Sequence, residues 1–426
     1  MKKVLALLLA AVMILGLAAC GTPEKTPATG DPTANVTENV PATGKEIVYW
    51  SMWTEGEPQG VVIKEAAAAY EAATGVHVNI EWKGRDITTV LKAALDAGET
   101  VDVYDDDFQR LSTQFKDNAL DLEEMAKKAG YDDFAVAALP TAVRGWAGSL
   151  VCIPYQPYTS GVFYVKSAFE AAGVTAEPKT WDEFLTVCKQ LKDAGYTPLA
   201  QDDAYTRYTY GFILARMIGE DAVMELTKNG GWTKSAEAKQ AAQFIVDLRE
   251  AGYLSDTAPD AYPNGENELG LGLAAMVVNA SWVPSEITNN TQCNEEWGMF
   301  NFPSMTDKDV DPSTVANIGA QALAVNAKSQ HPQEAFDFIM YLTSGEFDQK
   351  MALTANGIPA DSRNEKWPEM IANVRDAFNA QTDVYEWNMG LNANGDIKEG
   401  LNDCVTRLFA GSMTADEFVM AMDGLY

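Results

Sequence analysis

Histidine is nearly absent from this sequence, with two in 426 residues, His77 and His331. Neither has a partner motif, so a Ser-His-Asp triad and an imidazole metal site are both excluded as sequence readings. Cysteine is scarce as well: of the five, Cys152, Cys188, Cys293 and Cys404 are widely spaced and none forms a Cys-x-x-Cys pair. That argues against a dense disulfide framework or a thiolate zinc site and leaves room for one bridge in an oxidising compartment, with buried free thiols favoured. Positive charge is in short supply, with 31 Lys and Arg against 61 Asp and Glu and a formal charge of −30. A nucleic acid partner, or direct docking on anionic lipid, is therefore not expected. No phosphate-binding loop occurs. Gly270-Leu271-Gly272-Leu273-Ala274-Ala275 matches a dinucleotide fingerprint only as a string, because its strand would follow it instead of preceding it. Asp307, Asp309 and Asp311 start like a calcium loop, but Pro312 and Ile318 replace the turn glycine and the bidentate Glu. Nothing calls for a cofactor or a metal, and no repeat of 20–50 residues points to a solenoid or propeller.

What is present begins at the N-terminus. Lys2 and Lys3 lead into an apolar run from Val4 to Leu17, followed by Leu17-Ala18-Ala19-Cys20. The run is shorter than the roughly 20 residues of a membrane span, and the order is that of a signal peptide, residues 1–19, ending in a lipobox. Cleavage before Cys20 would leave a thiol and an amine for acylation, and two or more chains anchor a protein stably. Residues 20–44 are then the lipidated cysteine and a tether rich in Thr, Pro, Ala and Gly, too poor in apolar side chains to fold. As a coil it would span roughly 25–30 Å.

From Lys45 onward the chain exceeds the size at which one hydrophobic core keeps growing, so two lobes are expected. Ile47–Trp50 reads as a buried strand, Pro58 opens a helix that Gly75 stops, and Val76, Val78, Ile80 and Trp82 alternate with polar residues as in a half-buried strand. A helical stripe from Ile87 to Leu95 and a strand Val101–Tyr104 complete a βαβαβ order, which calls for a mainly parallel sheet with its ligand outside the strands' carboxyl ends. Leu150–Ile153 and Gly161–Val165 read as strands joined by a loop, Pro154 to Ser160, crossing between lobes. Thr180 with Glu183, and Thr414 with Glu417, have capping-box spacing. Strands are also expected at Ala274–Val278 and Ile318–Val325. The fold class is α/β.

The sequence resembles the family 1 extracellular solute-binding proteins, the maltose-binding-type receptors of ABC importers. The matching stretches are Pro154-Tyr155, Gly161 to Lys166, Phe169 to Gly173, Pro178 to Phe184, Gly195 to Leu199, Ala274-Ala275-Met276 with Asn279-Ala280-Ser281-Trp282, and Gly357-Ile358-Pro359. The resemblance implies a two-lobed fold closing on a ligand, with one lobe from residues 45–156 and 316–358 and the other from 157–315 and 359–426. It implies a monomeric, non-enzymatic receptor for a sugar or oligosaccharide. The protein would deliver that sugar to ABC permease subunits from the outer face of the cell membrane, or in a periplasm if there is an outer membrane. A secreted glycoside hydrolase, or a receptor for a polyamine or peptide, remains the alternative.

Such receptors hold sugars with aromatic faces and with carboxylates or amides on the hydroxyls. On that expectation Trp53 and Glu55 follow the first strand into the cleft, and Asp105 and Asp106 follow the strand Val101–Tyr104 as hydroxyl acceptors. A cap for the next helix is the other use of the Asp105–Asp107 run. Trp282 matches the family's Asn-Gly-Pro-Trp-like platform, although Ala280 and Ser281 stand where that motif has Gly and Pro. Trp387, beside Tyr385, lies where the family places a second aromatic wall. Tyr155, Gln201, Asp202 and Tyr208 are further candidates from the crossover and the second lobe.

Overall fold

The computed structural model describes residues 44–305, 315–381 and 383–426. The signal peptide, Cys20, nearly all of the tether and the calcium-like aspartates lie outside these residues.

Among the described residues nine strands form the framework: β1 Lys45–Ser51, β2 Val76–Trp82, β3 Val103–Asp107, β4 Ile153–Val165, β5 Thr197–Ala200, β6 Ala274–Ala280, β7 Trp297–Phe300, β8 Val315–Val325 and β9 Asp383–Tyr385. Their order is β2-β1-β3-β8-β4-β6-β5, with β7 also on β4 and β9 on β8. Local chemistry explains the helices between them. Pro58 occupies the first turn of helix Pro58–Thr74, and Gly75 ends it at φ 74°, a left-handed conformation that costs glycine nothing. Thr180 and Thr414 each form the expected capping box with Glu183 and Glu417, satisfying N–H groups that have no partner within the helix.

The sheet is mixed where a mainly parallel one was expected. β1 runs parallel to β2 and β3, and β5 to β6, but β8 is antiparallel to β3 and β4, and β4 is antiparallel to β6 and β7. The two long strands cause this. β4 pairs with β8 from Ile153 to Thr159, then with β6 and β7 from Ser160 to Val165. β8 in turn reaches β3 with its C-terminal half and β9 with its first residues. Each is therefore shared between two groups of strands.

This overturns the reading of Pro154–Ser160 as a loop. Pro154 and Pro157 look like strand breakers because they cannot donate to a ladder. The register shifts between Tyr155 and Pro157, and Gln156 bulges out at φ 47°, so the strand absorbs them and continues. The aspartates 105–107 likewise belong to β3, where they pair with Leu323, Ala322 and Gln321, and do not follow it.

All four described cysteines are free thiols, with Cys152, Cys188 and Cys404 buried. Among the described residues no helix is long and apolar enough to cross a membrane, and no cluster of His, Cys, Asp and Glu has the grouping of a metal site.

Candidate functional site: an aromatic cluster beside the shared strands

The candidates separate into two groups. The first surrounds Asp105, which is fully buried. One carboxylate oxygen accepts from the hydroxyls of Tyr49 at 2.5 Å and Tyr155 at 2.9 Å, and the other from the backbone N–H of Met52. Burial pushes this carboxyl up to about 7, against the pull of those hydrogen bonds. Tyr155 is buried with it and accepts a 2.6 Å bond from the indole N–H of Trp53, itself 7% exposed. Arg85 stacks over the other side of that indole, 4.5 Å from the ring. Asp106 is buried and pairs with Arg110 at 3.0 Å, while Asp107 caps the helix Phe108–Thr113. Glu55 is exposed and pairs with Lys64. These side chains spend their hydrogen-bonding capacity within the protein, tying the loop after β1 to β3 and β4.

The second group brings Trp282, Trp387 and Tyr208 together. Trp282 follows β6 and stands at the N-terminus of helix Val283–Thr291. Its ring lies 4.9 Å from Tyr158, edge-on, and 6.0 Å from Trp387. Trp387 in turn meets Tyr208 at 4.6 Å, Tyr158 at 6.2 Å and Tyr205 at 6.5 Å. Both tryptophans are partly exposed, whereas Tyr208 is buried and donates to the Asn317 amide oxygen at 2.9 Å. Asn317, on β8, also binds the Tyr385 carbonyl at 2.7 Å, which fixes the segment carrying Trp387. Asp107, Gln109 and Trp146 line a small cavity together with Tyr158, Asn317 and Trp387, and burial raises the Asp107 carboxyl to about 6.

Three buried or half-buried carboxylates, Asp202, Glu266 and Glu286, form a further group, which Tyr262 links to Tyr205 by ring packing at 5.8 Å. Asp202, buried at the end of β5, accepts the N–H groups of Gly265 and Glu266 at 2.8 and 2.9 Å. Its neighbour Gln201 accepts from Thr209 at 2.7 Å. Glu266 is fully buried; one oxygen accepts from the Asn279 amide at 3.0 Å and the other has no hydrogen-bond partner. Burial, then the charge of Asp202, pushes Glu266 up to about 8. Glu286 accepts from the Tyr262 hydroxyl. The sequence reading missed Tyr158, Tyr205, Tyr262, Glu266, Glu286 and Asn317. The tyrosine-rich run Tyr205-Thr206-Arg207-Tyr208-Thr209-Tyr210 was the available signal; for Glu266 there was none, because its placement depends on Asn279 across the fold.

The family model described as bacterial extracellular solute-binding protein matches residues 54–347, more than half of the chain. The chain belongs to that family. Among its relatives this solute-binding protein is 25% identical over 208 residues to the multiple sugar-binding protein of Streptococcus mutans serotype c, covering 46% of this chain and 48% of that one. The chain thus matches about half the length of that relative. It is 24% identical over 367 residues to the diacetylchitobiose binding protein DasA of Streptomyces coelicolor, covering 84% and 81% of the two. Maltose-bound MalE3 of T. maritima shares the fold, with a TM-score of 0.68, 16% identity and coverage of 89% and 98%.

Proposed function

We propose that this protein captures a sugar or short oligosaccharide between its two lobes and passes it to an ABC importer, without chemical change. The observation that carries this is the cluster of Trp282, Trp387, Tyr158, Tyr205 and Tyr208 beside the two shared strands. Two partly exposed indoles there offer flat apolar faces of the kind that pack on sugar C–H surfaces, at little entropic cost. The ligands that the similar proteins are named for, multiple sugars, diacetylchitobiose and maltose, support the same class.

Trp282, Trp387 and Tyr208 are retained as ligand-site residues, with Tyr158 and Tyr205 added. Trp53, Asp105, Asp106 and Tyr155 are assigned to holding the first lobe against β4. Glu55 lies outside the site, and Asp202 belongs to the group of carboxylates. For the lobes, the boundaries 45–156 with 316–358, and 157–315 with 359–426, are kept with one change. Ala360 and Asp361 donate to Asp348 at 2.8 and 3.1 Å, and Ser362 donates to the Phe134 carbonyl at 2.8 Å. Those bonds support carrying the first lobe a few residues past 358.

The N-terminal sequence supports a lipid on Cys20 and residence on the outer face of the membrane, where a tethered monomer stays close to its permease. Calorimetric titration against mono- and oligosaccharides tests the reading, with reducing ends assayed afterwards. Binding without new reducing ends is expected; sugar cleavage would establish a hydrolase.

A further inference from the structure

The cavity that Trp387 and Tyr158 share with Asp107 is small and carries charge of one sign. Its volume is about 10 Å³, the room that a single water needs. Asp107 and Glu386 are the charged residues lining it, and no Lys or Arg does. Arg110, whose charge acts on Asp107, is engaged by Asp106 at 3.0 Å and does not reach the cavity wall. Trp387 and Tyr158 belong to the cavity and to the aromatic cluster at once, edge-on at 6.2 Å. A solute packed on Trp387 is thereby brought beside both carboxylates.

Asp107 is fixed there by its own helix. Its Oδ1 accepts the backbone N–H of Arg110 at 2.9 Å and caps the helix Phe108–Thr113, so the carboxylate cannot turn away without uncapping it. Burial raises this carboxyl to about 6 and no further, which leaves it an anion at pH 8. Sites built for carboxylates or phosphates present guanidinium or ammonium donors; here the wall offers two carboxylates and the Gln109 amide, which suit hydroxyl groups. A second negative charge beside a partly buried carboxylate is repelled more strongly than it would be in water. Repulsion of this kind sets selectivity as effectively as a new attraction does.

We propose that Asp107 is a selectivity residue whose fixed carboxylate bars saccharides carrying a carboxylate, sulfate or phosphate, so that the solute is an uncharged sugar or oligosaccharide. This inference rests on the sugar-binding reading and narrows its substrate class. The size of the cavity acts in the same direction, since a hydroxyl needs less room than a carboxylate or a phosphate. A test of Asp107 therefore has to separate charge from size.

Three congeners at C6 do this: the hydroxymethyl parent, the uronate and the uronamide of gluco-, galacto- and manno-configured methyl glycosides and disaccharides, titrated calorimetrically into the native protein at pH 8. The uronamide has the shape of the uronate without its charge. The uronate is expected to bind at least about tenfold more weakly than the uronamide. Asp107→Asn should narrow that ratio to about threefold or less, with the helix retained because Asn caps as well as Asp does. Thermal melting checks the fold of the variant; Glu386→Gln, which leaves the cap untouched, should narrow the ratio in part. Uronate and uronamide bound equally, or excluded equally, by the native protein would overturn the inference and leave the sugar reading standing. So would a ratio that does not move in folded Asp107→Asn protein, or a series in which the uronates bind best. If no member binds, the inference falls, and titration with unrelated neutral oligosaccharides then shows whether the sugar reading fails too.

Discussion

Gly319 on β8 lies directly beneath the ring of Tyr158 on β4, so closely that a Cβ at Gly319 would stand 2.1 Å from the tyrosine hydroxyl. The absent side chain lets Tyr158 lie flat across its partner strand, with Trp282 edge-on at 4.9 Å. The seat of the aromatic cluster is thus set by one glycine on the other shared strand.

Gly319→Ala should push Tyr158 off β8 and disturb its contacts with both tryptophans. Sugar affinity is expected to fall by at least about tenfold, equivalent to about 1.4 kcal/mol, with melting lowered by the overpacking. Calorimetry and thermal melting read the two effects separately. Unchanged affinity would show that Tyr158 takes no part in shaping the site.

Trp282→Ala removes the partly exposed face of the same cluster. Truncating a rigid aromatic anchor costs about 2–4 kcal/mol of binding, so affinity should drop by roughly 30- to 1000-fold. The ligand-free melting temperature should change less than for a buried tryptophan, where a loss of about 3–5 kcal/mol is typical. A stable variant with native affinity would take Trp282 out of the site.

Stability should fall as pH rises from about 5 to about 8. The carboxyl of Asp105 is raised to about 7 by burial, and those of Asp107, Asp202 and Asp348 to about 6. A folded-state value above the unfolded one means that the folded protein binds more protons between the two, so stability is lost as pH climbs through the folded value. Thermal melting at intervals across that range measures the slope. Asp105→Asn, which keeps most of the hydrogen-bonding shape without the charge, should flatten it; an unchanged slope would assign it to the other carboxyls.

Much of this fold was legible in local signals. Both capping boxes, the Pro58 start, the Gly75 stop and the alternation of β2 depend on neighbours along the chain, and each is where its residues pointed. What was misread depends on distant partners. Pro154 and Pro157 sit in a strand because β8 tolerates a bulge opposite them. Asp105 sits in one because Tyr49, Met52 and Tyr155 arrive from three other places to satisfy it. In the candidate site, Trp282 and Trp387 stood out by size and position, whereas Glu266 looks like any surface glutamate until Asn279 and Asp202 are brought around it.

Cys20→Ser removes the thiol that the proposed anchor needs. The variant should appear in the medium or remain unprocessed, as read by fractionation and mass of the N-terminus. Correctly processed protein still held at the membrane would contradict the lipid anchor.

Small-angle scattering with and without a saturating sugar tests most directly whether the solute is captured between the lobes. A ligand that touches both lobes binds the closed arrangement better and shifts the population toward it. The radius of gyration should therefore fall on saturation, and the scattering curve should approach that of the more compact form. A radius that stays the same while calorimetry shows the sugar fully bound would contradict capture by closure.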